Sequence, residues 1–411
     1  MKKNHILILN PSPKRLRALE VAKEMNLKIS IADTKLNPIF QNYINRFIDI
    51  DLTKIDRTLS VLKTEHEKES FSGVITFLDR GVEPSSIIAS NLGLRGNPLL
   101  AAKATRHKYL LRETLKKNGI KQPRFQKVAS YEDFVEAADY VGYPFIFKPV
   151  GSASSKAIFK VEENTNLEKI YQKMLIASDP SLDLMFSLYP NTYIVEQFMI
   201  GNEFSVEGVA SEGEIYFAGI TEKWKDENYF IEQKHLFPAR LTEFDENIIY
   251  STAKSALSAI YWKCGAFHLE LMLTHDGPQI VEINGRLGGD YITTHLVELA
   301  RGVNIIKASY SAALGLPINI KQKWDKGACV HFKFAHREGV LKSLNGAEHL
   351  KDSPHIKDII FEKNIGDLIR LPPKKFDECR LVGIVTQADT SEQALNVADV
   401  SINQITAEIT D

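Results

Sequence analysis

Over the first hundred positions, short apolar runs alternate with stretches of helical periodicity. Residues 5–9, 28–32, 46–50 and 73–77 read as strands, and residues 14–25 as a helix between the first two. Such alternation predicts a Rossmann-like parallel sheet with helices on its faces. Asn97-Pro98 interrupts the pattern, and residues 99–118 then read as one long helix rich in Lys and Arg. Beyond Ile120, strands at 125–128, 145–149 and 157–161 are interleaved with helices at 131–141 and 167–177, the pattern of a small α+β subdomain. Residues 178–190 form a polar connection containing proline. From Tyr193 the period changes to two. Strands at 193–197, 204–210, 215–221, 267–273 and 279–283, with turns such as Ser211-Glu212-Gly213, predict an antiparallel sheet. A helix at 246–260 interrupts it and a second lies at 291–314. Further strands at 328–334 and 380–386 mark a C-terminal piece. The pattern divides the chain into an α/β domain (1–105), a linker helix with a small subdomain (106–190), a main sheet (191–320) and a C-terminal subdomain packing on that sheet (321–411).

A chain of 411 residues exceeds one compact core, in keeping with that division. The net charge of −1 leaves no basic excess for nucleic acid or an acidic membrane surface, so neither is an expected partner. Cys264, Cys329 and Cys379 lie far apart and form no C-x-x-C pair, which fits a reducing, cytoplasmic setting without structural zinc. The run from Ile6 to Leu9 is too short for a signal-peptide core and reads as a buried strand. A homodimer is the assembly expected from how common homodimers are among soluble enzymes.

Three segments carry the chemistry. In the first, Glu270 and Glu282 lie in two apolar strands joined by a short turn, and Asn284 follows on the same strand face as Glu282. Folding that hairpin brings three oxygen ligands together, as Mg²⁺ prefers. Any one of these residues alone would read as a solvated strand position; the three together, followed by Arg286 and Gly288-Gly289, favour the metal. In the second, Lys148 ends an apolar strand where burying its charge demands an anion. The loop Gly151-Ser152-Ala153-Ser154-Ser155 comes next, small enough for backbone N–H groups to approach phosphate. By itself this pattern also fits a strand-end lysine and a flexible loop. Its placement about forty residues after Lys108 strengthens the phosphate reading. In the third, Glu196 ends a strand, an apolar bend through Met199 succeeds it, and Glu203 opens the next strand. A carboxylate and backbone groups at such a bend suit an adenine and its ribose, although alone the segment reads as a capped hairpin.

Taken in chain order, Lys108, then Lys148 with its small-residue loop, then Glu196, then Glu270, Glu282 and Asn284 with Arg286 after them, the segments resemble the ATP-grasp superfamily over roughly residues 100–315, and most closely its bacterial L-amino acid ligases, the dipeptide-forming type related to the bacilysin and rhizocticin synthetases. The glycine turn of a dinucleotide site (G-x-G-x-x-G) is absent after the first strand, where Asn10-Pro11-Ser12-Pro13 stands, which disfavours a dehydrogenase. The resemblance implies an ATP-grasp fold with a mobile lid after the N-terminal domain. It implies that Lys108, Lys148, Ser152 and Ser154 hold the ATP phosphates, that Glu196 and the backbone near Met199 bind adenine, and that Glu203 binds the ribose. Glu270, Glu282 and Asn284 would hold Mg²⁺, two ions being expected and Mn²⁺ an alternative. Arg286 would steady the acyl phosphate, and Glu232 and His235 would contact two amino-acid substrates, His235 reading equally as a loop histidine. Arg286, Gly288, Gly289 and Asp290 would shape the first amino acid's pocket. Asp290 has two readings: a carboxylate selecting arginine, or a helix N-cap. The implied reaction uses ATP to activate a carboxylate as an acyl phosphate and joins it to an amine. The alternatives are a biotin-carboxylase-like or purine-pathway ATP-grasp enzyme, and a nucleotide-binding protein without catalysis.

Overall fold

The computed structural model describes residues 3–153, 155–372, 375 and 378–411, apart from the side chain of Leu184. At the N-terminus, β1 (His5–Leu9), α1 (Leu16–Glu24), β2 (Lys28–Asp33), β3 (Arg46–Asp49), α2 (Ile55–Lys68), β4 (Gly73–Thr76) and α3 (Val82–Asn91) form a four-stranded sheet in the order β3-β2-β1-β4. All of its pairings are parallel. Every residue of β1 is buried because both faces are covered. Ile6 and Ile8 enter one apolar cluster with Leu19 and Ala22, while Leu7 and Leu9 enter another with Leu62 and Ile88.

The single helix expected over 99–118 is two, α4 (Leu99–Ala104) and α5 (Lys108–Lys117). His107 leaves helical geometry and its ring accepts from the Leu110 N–H, capping α5. The break makes Lys108 the first residue of α5, beside the small-residue loop.

Next come β5 (Phe125–Val128), α6 (Tyr131–Val141), β6 (Phe145–Pro149), β7 (Phe159–Val161), α7 (Leu167–Ala177) and β8 (Tyr193–Gln197). The sheet order is β5-β8-β6-β7. Ser130 and Asp133 form a reciprocal capping box at the start of α6. Phe134 of α6 stacks on Phe147 of β6 with ring centroids 4.2 Å apart, and both are fully buried.

The main sheet contains β9 (Gly201–Ser211), β10 (Glu214–Lys225), β11 (Glu232–Phe237), β12 (Cys264–Thr274) and β13 (Gly277–Asn284), with α8 (Glu243–Ala259) packed on one face. The helix expected over 291–314 is instead a π-helical turn at Ile292–Leu296, then α9 (Val297–Arg301) and α10 (Ile305–Leu314). Gly302 at φ +67° ends α9, and Asn304 caps α10.

The C-terminal segment comprises β14 (Gly327–Phe334), β15 (Gly339–Asn345), α11 (Ala347–Leu350), β16 (Ile356–Phe361), β17 (Leu368–Ile369), β18 (Arg380–Ala388), α12 (Ser391–Asn403) and β19 (Thr406–Thr410). It departs from the packed-on subdomain expected from the sequence. β14 hydrogen-bonds to β11, and β14, β18 and β16 complete one eight-stranded sheet, β13-β12-β9-β10-β11-β14-β18-β16. Strand pairing between distant segments leaves no trace in a periodicity, which is why the continuity of the sheet is not evident from the sequence. A smaller sheet, β17-β15-β19, lies beside it. Among the described residues no helix is long and apolar enough to cross a membrane.

The lid core rests on one aromatic stack. Phe134→Ala should cost about 3–5 kcal/mol, the loss usual for a large buried aromatic. Hydrogen exchange should then accelerate in β6 and β8 while β1 stays protected; uniform acceleration would show that this subdomain does not open separately.

Candidate functional site

The main sheet has one apolar and one ionic face. Alternate residues of β9 (Phe204, Val206), β12 (Phe267, Leu269, Leu271) and β13 (Ile283) pack with α8. The intervening residues are Glu203, Ser205 and Glu207 on β9, Lys223 and Lys225 on β10, His268 and Glu270 on β12, and Glu282 and Asn284 on β13. Register places them side by side: Glu270 opposite Glu282, His268 opposite Glu207 and opposite Asn284, and Lys223 opposite both Glu203 and His235. A register shift directly after Glu270 marks a bulge there. This face floors a cavity of about 450 Å³, also lined by Arg15 and Asp79 of the N-terminal domain and by Glu362 and Arg380 of the C-terminal segment.

The structure brings the expected metal residues together. Glu270 lies 3.0 Å from Lys223 Nζ and accepts from His268 Nε2 at 2.9 Å. Glu282 lies 3.0 Å from Lys108 Nζ and accepts from Asn284 Nδ2 at 2.9 Å. Burial opposes their ionisation, but Lys223 and Lys108 outweigh it and hold both carboxyls below the usual range. Asn284 donates through nitrogen, so Oδ1 is the atom it would offer a cation. Two facing carboxylates and an amide oxygen, each carboxylate already balanced by a buried lysine, fit a hard divalent ion. Glu203, Glu232 and Glu270 form a second acidic group, their carboxylate oxygens within 4.8 Å of one another. At its centre lies Lys223 Nζ, 3.2, 2.9 and 3.0 Å from the three residues.

Lys108 and Lys148 line the same cavity. Lys108 donates to the Ser152 carbonyl, and Lys148 lies 2.6 Å from Glu196. Burial lowers the Lys148 pKa, Glu196 opposing and the cations Lys108 and Arg112 adding to it. The Ser152 hydroxyl turns inward to Pro149 O, and Ser154 lies outside the described residues. Ser155 bridges the cavity to the β10–β11 loop by donating to Phe230 O at 2.7 Å.

Two side chains expected at the nucleoside are engaged in ion pairs. Glu196 is 3% exposed, and its two oxygens pair with Arg112 Nε at 2.7 Å and Lys148 at 2.6 Å, so its side chain joins two buried cations. Glu203 points to Lys223 and Lys225 on the ionic face. The backbone of Phe198–Ile200, with Met199 at its centre, remains as the bend between β8 and β9.

Arg286 donates through Nε to Asp79 at 2.8 Å, and Arg106 contacts the other Asp79 oxygen at 2.9 Å. Burial would raise the Asp79 pKa, but these guanidinium groups hold it at about 2. Glu232 and His235 line the cavity. Both ring nitrogens of the buried His235 lack a hydrogen bond among the described residues, the nearer carboxylate oxygen, on Asp290, being 3.5 Å from Nε2. Gly289 lines the cavity, but Gly288 does not: a Cβ there would meet Glu207 at 2.7 Å and His268 at 2.9 Å, so it serves close packing. Asp290 is no helix cap. It and Tyr291 adopt φ of +45° and +65°, a costly pair for non-glycine residues, and the π-helical turn after them has no side-chain cap. Its carboxylate meets Arg380 in two hydrogen bonds of 2.7 and 3.1 Å, and the Arg380 guanidinium stacks on Phe332 at 3.8 Å.

Several site residues escape a reading of the sequence alone: Arg15, Asp79, Arg106, Arg112, Glu207, Lys223, Lys225, His268 and Arg380. For five of them a signal exists. Glu207 on β9, Lys223 and Lys225 on β10, and His268 on β12 hold polar positions at spacing two within otherwise apolar strands, and Arg112 lies one helical turn beyond Lys108. Burial disfavours a charged His268, yet Glu207 at 2.8 Å and Glu270 push its pKa up to about 9.

Residues 141–295 match the family model of the ATP-grasp domain, and residues 331–410 match that of the L-amino acid ligase C-terminal domain 2. An L-arginine-specific L-amino acid ligase of Bacillus subtilis is 22% identical over 92% of this chain and 91% of its own. Dapdiamide A synthase of Enterobacter agglomerans is 27% identical, but over only 45% of this chain and 43% of its own. The crystal structure of an L-amino acid ligase from Bacillus licheniformis superposes with a TM-score of 0.85 at 20% identity, covering all of both chains. ATP-grasp enzymes in general use ATP and Mg²⁺.

Glu196 yields a prediction with a definite sign. Its folded pKa of about 2 lies below the ordinary 4.5 because Arg112 and Lys148 outweigh its burial. The unfolded chain therefore takes up the proton first as pH falls, so this contribution is complete above about pH 5 and drains away toward pH 2. Glu196→Gln, which leaves two buried cations unpaired, should lose about 3–5 kcal/mol at pH 7. In urea titrations the gap between variant and wild type should narrow from pH 7 to pH 3.5; a pH-independent gap would sink the ion-pair account. The matching family models, with the carboxylates and lysines gathered around one cavity, place the chain in the ATP-grasp superfamily, as a ligase of the L-amino acid ligase type.

Proposed function

We propose that the chain joins two L-amino acids into a dipeptide, cleaving ATP to ADP and phosphate through an acyl phosphate. The observation that carries this reading is the cross-strand pair Glu270–Glu282 facing Lys108, Lys148 and Arg286 around a single cavity. The C-terminal domain match favours it over the carboxylating and purine-pathway alternatives.

On this reading Lys108 and Lys148 bind the nucleotide phosphates, and the backbone at 198–200 contacts adenine. Glu270, Glu282 and Asn284 hold Mg²⁺, whose chemistry is to neutralise charge on phosphate oxygens. Arg286, fixed by Asp79, steadies the phosphoryl group in transfer, where charge stabilisation and positioning dominate catalysis. The amine of the second amino acid then attacks the acyl carbon, the bond to phosphate breaks, and a proton leaves the nitrogen. His235 and Glu232 are the groups placed to take it, His235 having both ring nitrogens free of hydrogen bonds. Ser155 donates to Phe230 O beside the cavity, a contact through which the lid would help keep water from the acyl phosphate.

The geometry bears on the first amino acid. An arginine substrate would have to displace Arg380 from Asp290, because that carboxylate is already paired. Burial works against its ionisation, but Arg380 holds Asp290 well below the usual carboxylate range. We therefore read the pocket wall as a neutral ion pair over Phe332.

Screening phosphate release with all amino acids, singly and in pairs, tests the ligase reading. Release should require a pair, stop on chelation and return with Mg²⁺, and Glu282→Gln should lower it about a hundredfold or more. Turnover that depends on bicarbonate, or none above background with any pair, would overturn it. Arg380→Met should unpair Asp290 and lower the KM for arginine or lysine relative to neutral amino acids. Unchanged selectivity would remove Asp290 from the specificity pocket.

A further inference from the structure

Seven of the eight lysines and arginines lining the cavity have a carboxylate within ion-pair distance. Lys14 pairs with Glu362, Lys108 with Glu282, Lys148 with Glu196, Lys223 and Lys225 with the Glu203–Glu232 group, Arg286 with Asp79, and Arg380 with Asp290. Arg15 is the exception among the described residues. It extends from the loop after β1, donates to Gly288 O at 2.9 Å, and reaches Leu287 O only at 3.5 Å. A guanidinium has five N–H donors, so most of its capacity is unused.

We infer that Arg15 receives the free carboxylate of the amine-contributing amino acid, an assignment that rests on the dipeptide-ligase reading. An unpaired cation in a partly buried wall is costly without an anion. Burial lowers the Arg15 pKa to about 10, and the neighbouring Arg286 adds to the shift. Its other charged neighbours are Asp290, Asp79 and Glu207, so it lies between the arginine assigned to the phosphoryl group and the assigned side-chain pocket. When two amino acids are joined, the first carboxylate is consumed and the second survives as an anion. That anion must lie within about one residue length, ~3.8 Å, of the carbon under attack. Lys108, Lys148 and Arg286 already serve the phosphates, whereas Arg15 adds a planar fork matched to a carboxylate.

The test uses the full-length protein and an amino-acid pair that the wild type ligates, with the second amino acid supplied as the free acid or as its primary amide. The wild type should show a KM for the amide higher by roughly tenfold or more, the effect of losing one charge-assisted hydrogen bond. Arg15→Gln should raise the KM of the acid to that of the amide, leave the amide's KM unchanged, and keep the KM for ATP within about twofold, with Arg15→Lys intermediate. Equal KM values for acid and amide in the wild type would overturn the assignment even if no variant folds. So would discrimination that persists in Arg15→Gln, or a rise confined to the KM for ATP, which would instead mark a phosphate contact. A wild type that ligates no pair defeats the ligase reading itself, and this inference with it.

Discussion

One buried guanidinium ties the linker helix, the small subdomain and the main sheet together. Arg112 on α5 is 1% exposed and ties two other elements to its own helix. Its Nε meets Glu196 at the end of lid strand β8, while its two terminal nitrogens donate to the carbonyls of Ile280 and Val281 on the main-sheet strand β13. Glu196 in turn holds Lys148 on β6. Removing either charge would strand the others in a medium that cannot solvate them, so the triad holds together or fails together. It fixes where the lid leaves the main sheet, and with that the position of Lys148 over the carboxylates. The Glu196 side chain is thus part of the frame that positions Lys148.

The ionic face of the main sheet obeys the same logic. Five strands point carboxylates, lysines and histidines toward one cavity, an arrangement that would repel itself were its charges not interleaved. Lys223 sits among three glutamates, Lys108 against Glu282, and His268 between Glu207 and Glu270. Burial would neutralise isolated groups of these types, but pairing keeps them charged. Internal balance lets the chain fold with the face already assembled. On the proposed reading, Lys108 would hold a phosphate and Glu282 would hold Mg²⁺, and each is the other's partner in this structure.

The strands, and the hairpin joining Glu270 to Glu282, are legible because each is a local pattern of period two with a turn beside it. Both helices of the lid are legible to their observed limits because their apolar positions recur at helical spacing between polar caps. What the sequence hides depends on pairing between distant segments. The C-terminal strands join the main sheet edge to edge, and no periodicity announces a neighbour. The long helices expected at 99–118 and 291–314 break at His107 and Gly302, where a cap and a positive φ outweigh the surrounding propensity. Asp290 sits where a cap would sit, but its partner lies ninety residues on, at Arg380. Arg112 and Asp79 carry no motif of their own. Their roles exist only after the linker helix, the N-terminal domain and the main sheet have met.

Chemistry and selectivity therefore sit on different parts of the fold. Apart from Arg286 and its partner Asp79, the residues proposed to handle phosphate and metal lie on regular strands and at the start of a capped helix, where backbone hydrogen bonds hold them within small tolerances. The residues facing the proposed amino-acid end come from the seams: Arg15 from a loop of the N-terminal sheet, Asp290 from a strained turn, Arg380 from a C-terminal strand. A seam can change its side chains without disturbing the hairpin that places Glu270 and Glu282. The continuity of the main sheet serves the same division: β18 pairs with β14, and β14 with β11, so Arg380 reaches the cavity wall from the sheet that forms its floor.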